Sequence, residues 1–155
     1  MADIHVEEFY KDVAIALVQL YGVFPRRVNL FVEDIAGPDE PDEFGLHSKR
    51  HMACFGALLW LEEEGLLRYV DTIRQEALDQ AVLTRDAFIR LSAPANQALV
   101  DIAGVQTGET HTLPRSVQRD LSTHIHLIRQ ALKSGNSARI SQVIQATFFA
   151  DSSYH

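Results

Sequence analysis

The chain has 155 residues, 46% of them hydrophobic and 23% charged, enough for one domain, or a small module with an appendage, to bury a core of its own. Its 14 Lys and Arg against 21 Asp and Glu leave a formal charge of −7, which argues against bulk electrostatic binding to nucleic acid. A single cysteine, Cys54, excludes an internal disulfide framework, and the lack of a span-length apolar run together with an acidic N-terminus points to a cytoplasmic protein away from the membrane. Residues 1–90 carry 9 basic and 17 acidic side chains and residues 91–155 carry 5 and 4, so the acidity belongs to the first part.

Val6, Phe9, Val13, Leu17, Leu20 and Phe24 recur at spacings of three and four. That period predicts a first helix, with Asp3 as N-cap and Gly22 and Pro25 marking its end. Arg27 to Leu30 reads as extended, and Leu30 to Ala36 as a two-turn helix stopped by Gly37-Pro38. An acidic loop from Gly37 to His47 leads to Ser48, a good N-cap for a strong helix carrying Met52, Phe55, Leu58, Leu59 and Leu61. Gly65 stands where a C′ glycine belongs, with Leu66 able to fold back onto the last turn.

Leu67, Tyr69, Val70, Thr72 and Ile73 then favour a strand, Gln75 to Asp79 a turn, and Gln80 to Leu83 a returning strand. Thr84 can cap a short helix containing Phe88 and Leu91. The softest boundary lies at Ser92-Ala93-Pro94, dividing the chain into 1–92 and 93–155. Leu99, Val100 and Ile102 form a short apolar segment, and Gly104 to His111 reads as a polar loop. Pro114 opens a helix with Val117, Leu121, Ile125, Ile128 and Leu132 on one face. Ser134-Gly135-Asn136 breaks it, Ile140 to Phe148 forms the second arm of a hairpin, and Asp151 to His155 reads as a loose tail.

The run Trp60-Leu61-Glu62-Glu63-Glu64-Gly65-Leu66-Leu67-Arg68 resembles the exit of the third helix of a winged helix-turn-helix domain into its wing. Ala81-Val82-Leu83-Thr84-Arg85-Asp86-Ala87-Phe88 is similar to that family's return from the wing, although Ala87-Phe88 stand where the family usually has a glycine. The element order agrees, over roughly residues 5–92. The resemblance implies a mainly helical fold with a small antiparallel β-wing, followed by a C-terminal helical extension. It also implies a recognition helix starting at Ser48, whose first turn faces the DNA major groove. His47, Ser48, Lys49, Arg50 and His51 would then lie at the groove, with Arg74 near the wing tip reaching backbone or minor groove. A dimeric transcriptional regulator binding double-stranded DNA is the leading expectation, which the Lys49-Arg50-His51 cluster favours. The other is a protein-interaction subunit with a basic protein partner, which the acidity of residues 1–90 favours.

Cations in the first turn of a helix oppose its dipole, so Lys49-Arg50-His51 requires a compensating anion. A phosphate backbone is one candidate, and the acidic run Asp39 to Glu43 is the other. His47, His51 and Cys54 have the spacing of nitrogen and sulfur ligands, but no carboxylate or second cysteine completes the spacing, His47 lies before the cap, and Cys54 is as readily a small core residue. No metal and no cofactor are therefore expected. No phosphate loop, paired-histidine zinc helix or nucleophile elbow is present in the sequence, and no enzymatic activity is expected. The stripe Val117, Leu121, Ile125, Ile128, Leu132 is expected either to join two subunits in a homodimer or to pack on its own hairpin partner.

Overall fold

The structure, a computed structural model, describes residues 3–103 and 123–150. These form two compact units, Met1–Asp86 and Ala87–His155, and the division falls within a helix a few residues before Ser92.

The first unit runs α1 (Ile4–Val23), β1 (Val28–Phe31), α2 (Glu33–Ala36), α3 (Lys49–Glu63), β2 (Leu67–Arg68), β3 (Asp71–Ile73) and β4 (Ala77–Leu83). The period of α1 buries Val13, Leu17 and Leu20, while Val6 remains 39% exposed in the first turn. Asp3 holds the N-cap position through its carbonyl, which accepts from the N–H groups of Val6 and Glu7; its side chain makes no cap bond. The helix runs through Gly22 and stops at Phe24. The segment expected to be a two-turn helix is a single turn, α2, because β1 claims its first residues for the sheet.

Ser48 caps α3 by accepting from the His51 N–H at 3.1 Å. At the other end Gly65 takes φ +74°, and Leu66 N–H bonds back to the Leu61 carbonyl. Phe55, Leu58 and Leu61 of α3 are buried against α1 and the sheet side of the unit, and so are His51, Cys54 and Ala57.

β4 is the central strand of a small antiparallel sheet. β1 pairs along one side of it, and β2 and β3 pair along the other. The turn expected at Gln75 to Asp79 comes earlier, between Ile73 and Ala77, because Arg74 adopts φ +52° and Glu76 N–H closes onto the Ile73 carbonyl. Ala77 and Leu78 are consequently buried strand residues. Opposite β1, the register slips between Val28 and Leu30, where Gln80 takes φ +55° and its N–H donates to Asn29 Oδ1.

Beyond Leu83 follow α4 (Arg85–Ser92), α5 (Gln97–Ala103), α6 (His124–Ser134) and α7 (Ser137–Thr147). In the second unit α6 and α7 form the expected hairpin: Gly135 in the left-handed region ends α6, and Asn136 caps α7. The helix expected from Pro114 does not reach Leu132 unbroken, since Thr123 is extended and bridges Pro94. Val117 and Leu121 lie outside the described residues, as do the expected loop Gly104–His111 and the tail. Ile125 and Ile128 are buried within the single chain, with Leu132 half-buried. Those two isoleucines pack within the chain. Among the described residues the architecture is thus mainly helical, seven helices with one small antiparallel sheet, and no helix is long and apolar enough to cross a membrane.

Candidate functional site

The first turn of α3 meets three other segments of the first unit, and each takes up side chains expected to face a ligand. Arg50 turns toward α1. Its guanidinium donates to both carboxylate oxygens of Asp12, at 2.7 Å from Nη1 to Oδ2 and in a short bond from Nη2 to Oδ1, and its Nε lies 3.5 Å from Glu8. Asp12 is 1% exposed. Hydrogen bonding to Asp12 raises the guanidinium pKa, so Arg50 stays charged throughout the ordinary pH range. Cys54, one turn on, is buried beside this pair, and burial first, then the Asp12 charge, pushes its thiol up to about 12. It is a neutral core residue rather than a nucleophile or a ligand.

His51 turns toward the sheet. It is 2% exposed, and its Nε2 donates to the Gln75 carbonyl at 2.7 Å. Its Nδ1 has no hydrogen-bond partner and lies 3.7 Å from Asp39 Oδ2. His47 stacks on His51, ring centroids 3.8 Å apart and planes 9° from parallel, and its Nδ1 donates to the same Asp39 oxygen at 2.8 Å. The far nitrogen of His47 is 3.9 Å from Glu76.

Asp39 is drawn in from the acidic loop. Its carboxylate sits at about 2, below the ordinary 3.8. The main cause is the Ser48 side chain, with His47 and the Ser48 N–H adding to it and partial burial opposing. Among the described residues, Asp39, His47 and His51 are the group of potential metal ligands whose ligating atoms all fall within 4.8 Å of one another.

The compensating anions that the reversed dipole demanded are therefore internal carboxylates. Arg50 has Asp12, and the histidines have Asp39. Of the residues expected at a DNA groove, His51 is buried, Arg50 is held by Asp12, His47 by Asp39, and Ser48 caps the helix. Lys49 and Arg74 remain exposed. No family model, curated protein or solved structure matches the chain.

The rest of the acidic loop is ordered by its own backbone. Asp42 Oδ1 accepts from Phe44 N–H and Leu46 N–H, both at 2.9 Å, and Gly45 closes the turn at φ +76°. The fold holds Phe44 and Leu46 outward, 78% and 63% exposed. Asp12, Glu8 and Gln75 were not anticipated from the sequence. For Asp12 the available signal was an acid beside the apolar stripe of α1, one turn from Glu8.

Proposed function

We propose that the first unit is a winged-helix module that binds a basic protein partner through its acidic loop and the outer face of α3. The element order α1-β1-α2-α3 followed by a hairpin, with β1 pairing on the returning strand, supports the winged-helix reading. The observation that carries the function is the loop. A turn closed by Asp42 presents Phe44 and Leu46 to water within a rim of Glu40, Asp42 and Glu43. Two exposed apolar anchors on a preformed turn lower the ordering cost of docking, and the acidic rim selects a cationic partner. The outer face of α3 agrees. Lys49, Ala53, Gly56, Trp60 and Glu63 are exposed, and Lys49 is the one cation among them to meet a phosphate backbone.

A photo-cross-linking amino acid at position 44 of the full chain, used in the cells that produce it, tests this reading. A discrete cross-link to a basic protein, lost with Leu46→Ala, is expected. Exposed Lys49 and Arg74 favour a second reading, the DNA-binding regulator. Salt-sensitive binding to a duplex pool that disappears with Lys49→Ala and Arg74→Ala would replace the first reading by the second.

A further inference from the structure

Two nitrogen atoms and a carboxylate oxygen converge beside the first turn of α3, and the polarity of the groups there is unbalanced. A carbonyl only accepts, so the bond to Gln75 places a hydrogen on His51 Nε2. In the neutral ring, Nδ1 then carries a lone pair, and that lone pair faces the Asp39 carboxylate, itself an acceptor. At 3.7 Å a protonated Nδ1 is too far from Oδ2 for a hydrogen bond. The nitrogen is buried without a partner, a costly state for a polar atom.

A cation placed between these atoms removes the conflict. We propose that Asp39, His47 and His51 bind one divalent transition-metal ion of the zinc class, through Asp39 Oδ2 and the Nδ1 atoms of the two histidines. The donor set, two imidazoles and a carboxylate, suits such an ion and leaves a fourth position for water. The outer contacts suit it as well. A ligating histidine usually donates its other N–H to a carbonyl or carboxylate, as His51 does to Gln75, and His47 has Glu76 near its far nitrogen.

Ligand atoms in a tetrahedral site with bonds of about 2.0–2.1 Å stand roughly 3.4 Å apart. Asp39 to His51 measures 3.7 Å and Asp39 to His47 measures 2.8 Å. Loading the ion therefore breaks the His47–Asp39 hydrogen bond, leaves the His47 ring hydrogen on Nε2, the nitrogen nearest Glu76, and tilts the two rings out of their parallel stack. These are side-chain adjustments at residues already in place. The bound ion ties the acidic loop to α3, and the inference stands whether or not that loop docks a partner.

The experiment titrates the full-length chain, freed of metal by a chelator and dialysed, with Co²⁺ and then Zn²⁺. One equivalent of Co²⁺ is expected to give visible ligand-field absorption, displaced by Zn²⁺, with no thiolate band, since Cys54 sits beside Asp12 instead. Asp39→Asn and His47→Ala, each with an unchanged circular dichroism spectrum, are expected to weaken binding by at least about tenfold. His51→Gln is expected to do the same, and the Asp39 and His47 variants decide the matter where that variant fails to fold. Failure to bind one equivalent at a tenfold excess of Co²⁺ overturns the proposal. So does binding that survives either Asp39→Asn or His47→Ala, which would place the ion on other histidines.

Discussion

Arg50 and Cys54 show how the neighbourhood of a side chain overrides the chemistry its type suggests. The guanidinium holds a carboxylate that is 1% exposed, so truncating it strands a charge inside the unit. Arg50→Ala is expected to destabilise the protein by about 2–3 kcal/mol in urea unfolding, below the fully buried range because the Arg50 end is partly solvated. Replacing both partners by apolar residues, Asp12→Leu with Arg50→Met, is expected to lose less than Arg50→Ala alone. The Cys54 thiol, pushed up to about 12 and fully buried, is expected to resist a disulfide reagent at pH 8 until denaturant exposes it. Asp39 runs the other way. Its pKa is lower folded than unfolded, so its contribution is complete above the ordinary carboxylate value of 3.8 and disappears as pH falls toward 2. An acid titration followed by a fluorophore on the loop is expected to show release across that window, and Asp39→Asn to abolish it.

Ser48 does two jobs for α3: its oxygen receives the His51 N–H, and its own N–H reaches Asp39. Ser48→Ala is expected to cost about 1–2 kcal/mol in thermal unfolding, at the upper side for an N-cap because Asp39 loses the hydroxyl as a donor while keeping the backbone N–H. The ends of α3 were legible because their signals are local: a serine before the helix, a glycine with a leucine just after it. The β3–β4 reversal was misplaced because an arginine at positive φ has no local signature. Ligand spacing counted along a helix likewise finds His47 and His51 but cannot find Asp39, eight residues before His47 on a loop that closes in three dimensions. The Asp12–Arg50 pair, 38 residues apart, was hidden for the same reason. Periodicity reports what faces inward, and charge pairing across elements lies beyond it.

For the molecule as a whole, the −7 charge is not spread evenly over equivalent acids. Asp12, Asp39 and Asp42 hold structure together, whereas Glu40 and Glu43 are exposed. Replacing Glu40 and Glu43 by Gln is expected to leave the melting temperature within about a degree or two, as surface substitutions do, while weakening capture of a basic partner and flattening its salt dependence. Neutralising Asp39 or Asp42 instead is expected to disturb the loop itself. Charge reduction across the whole loop would confuse these two effects, and the paired substitution separates them.

The β3–β4 turn carries one more consequence. A hairpin tip is ordinarily where a chain tolerates extra residues best. Here the Gln75 carbonyl at that tip is seated on a buried histidine of α3, while at the opposite end Thr84 fastens the base of the hairpin to Gly65 and Leu66. The helix and the hairpin are therefore latched together at both extremities, and added length at the tip would unseat one latch. An epitope tag spliced between Arg74 and Gln75 would loosen α3 from within, at the spot an engineer would first choose as harmless.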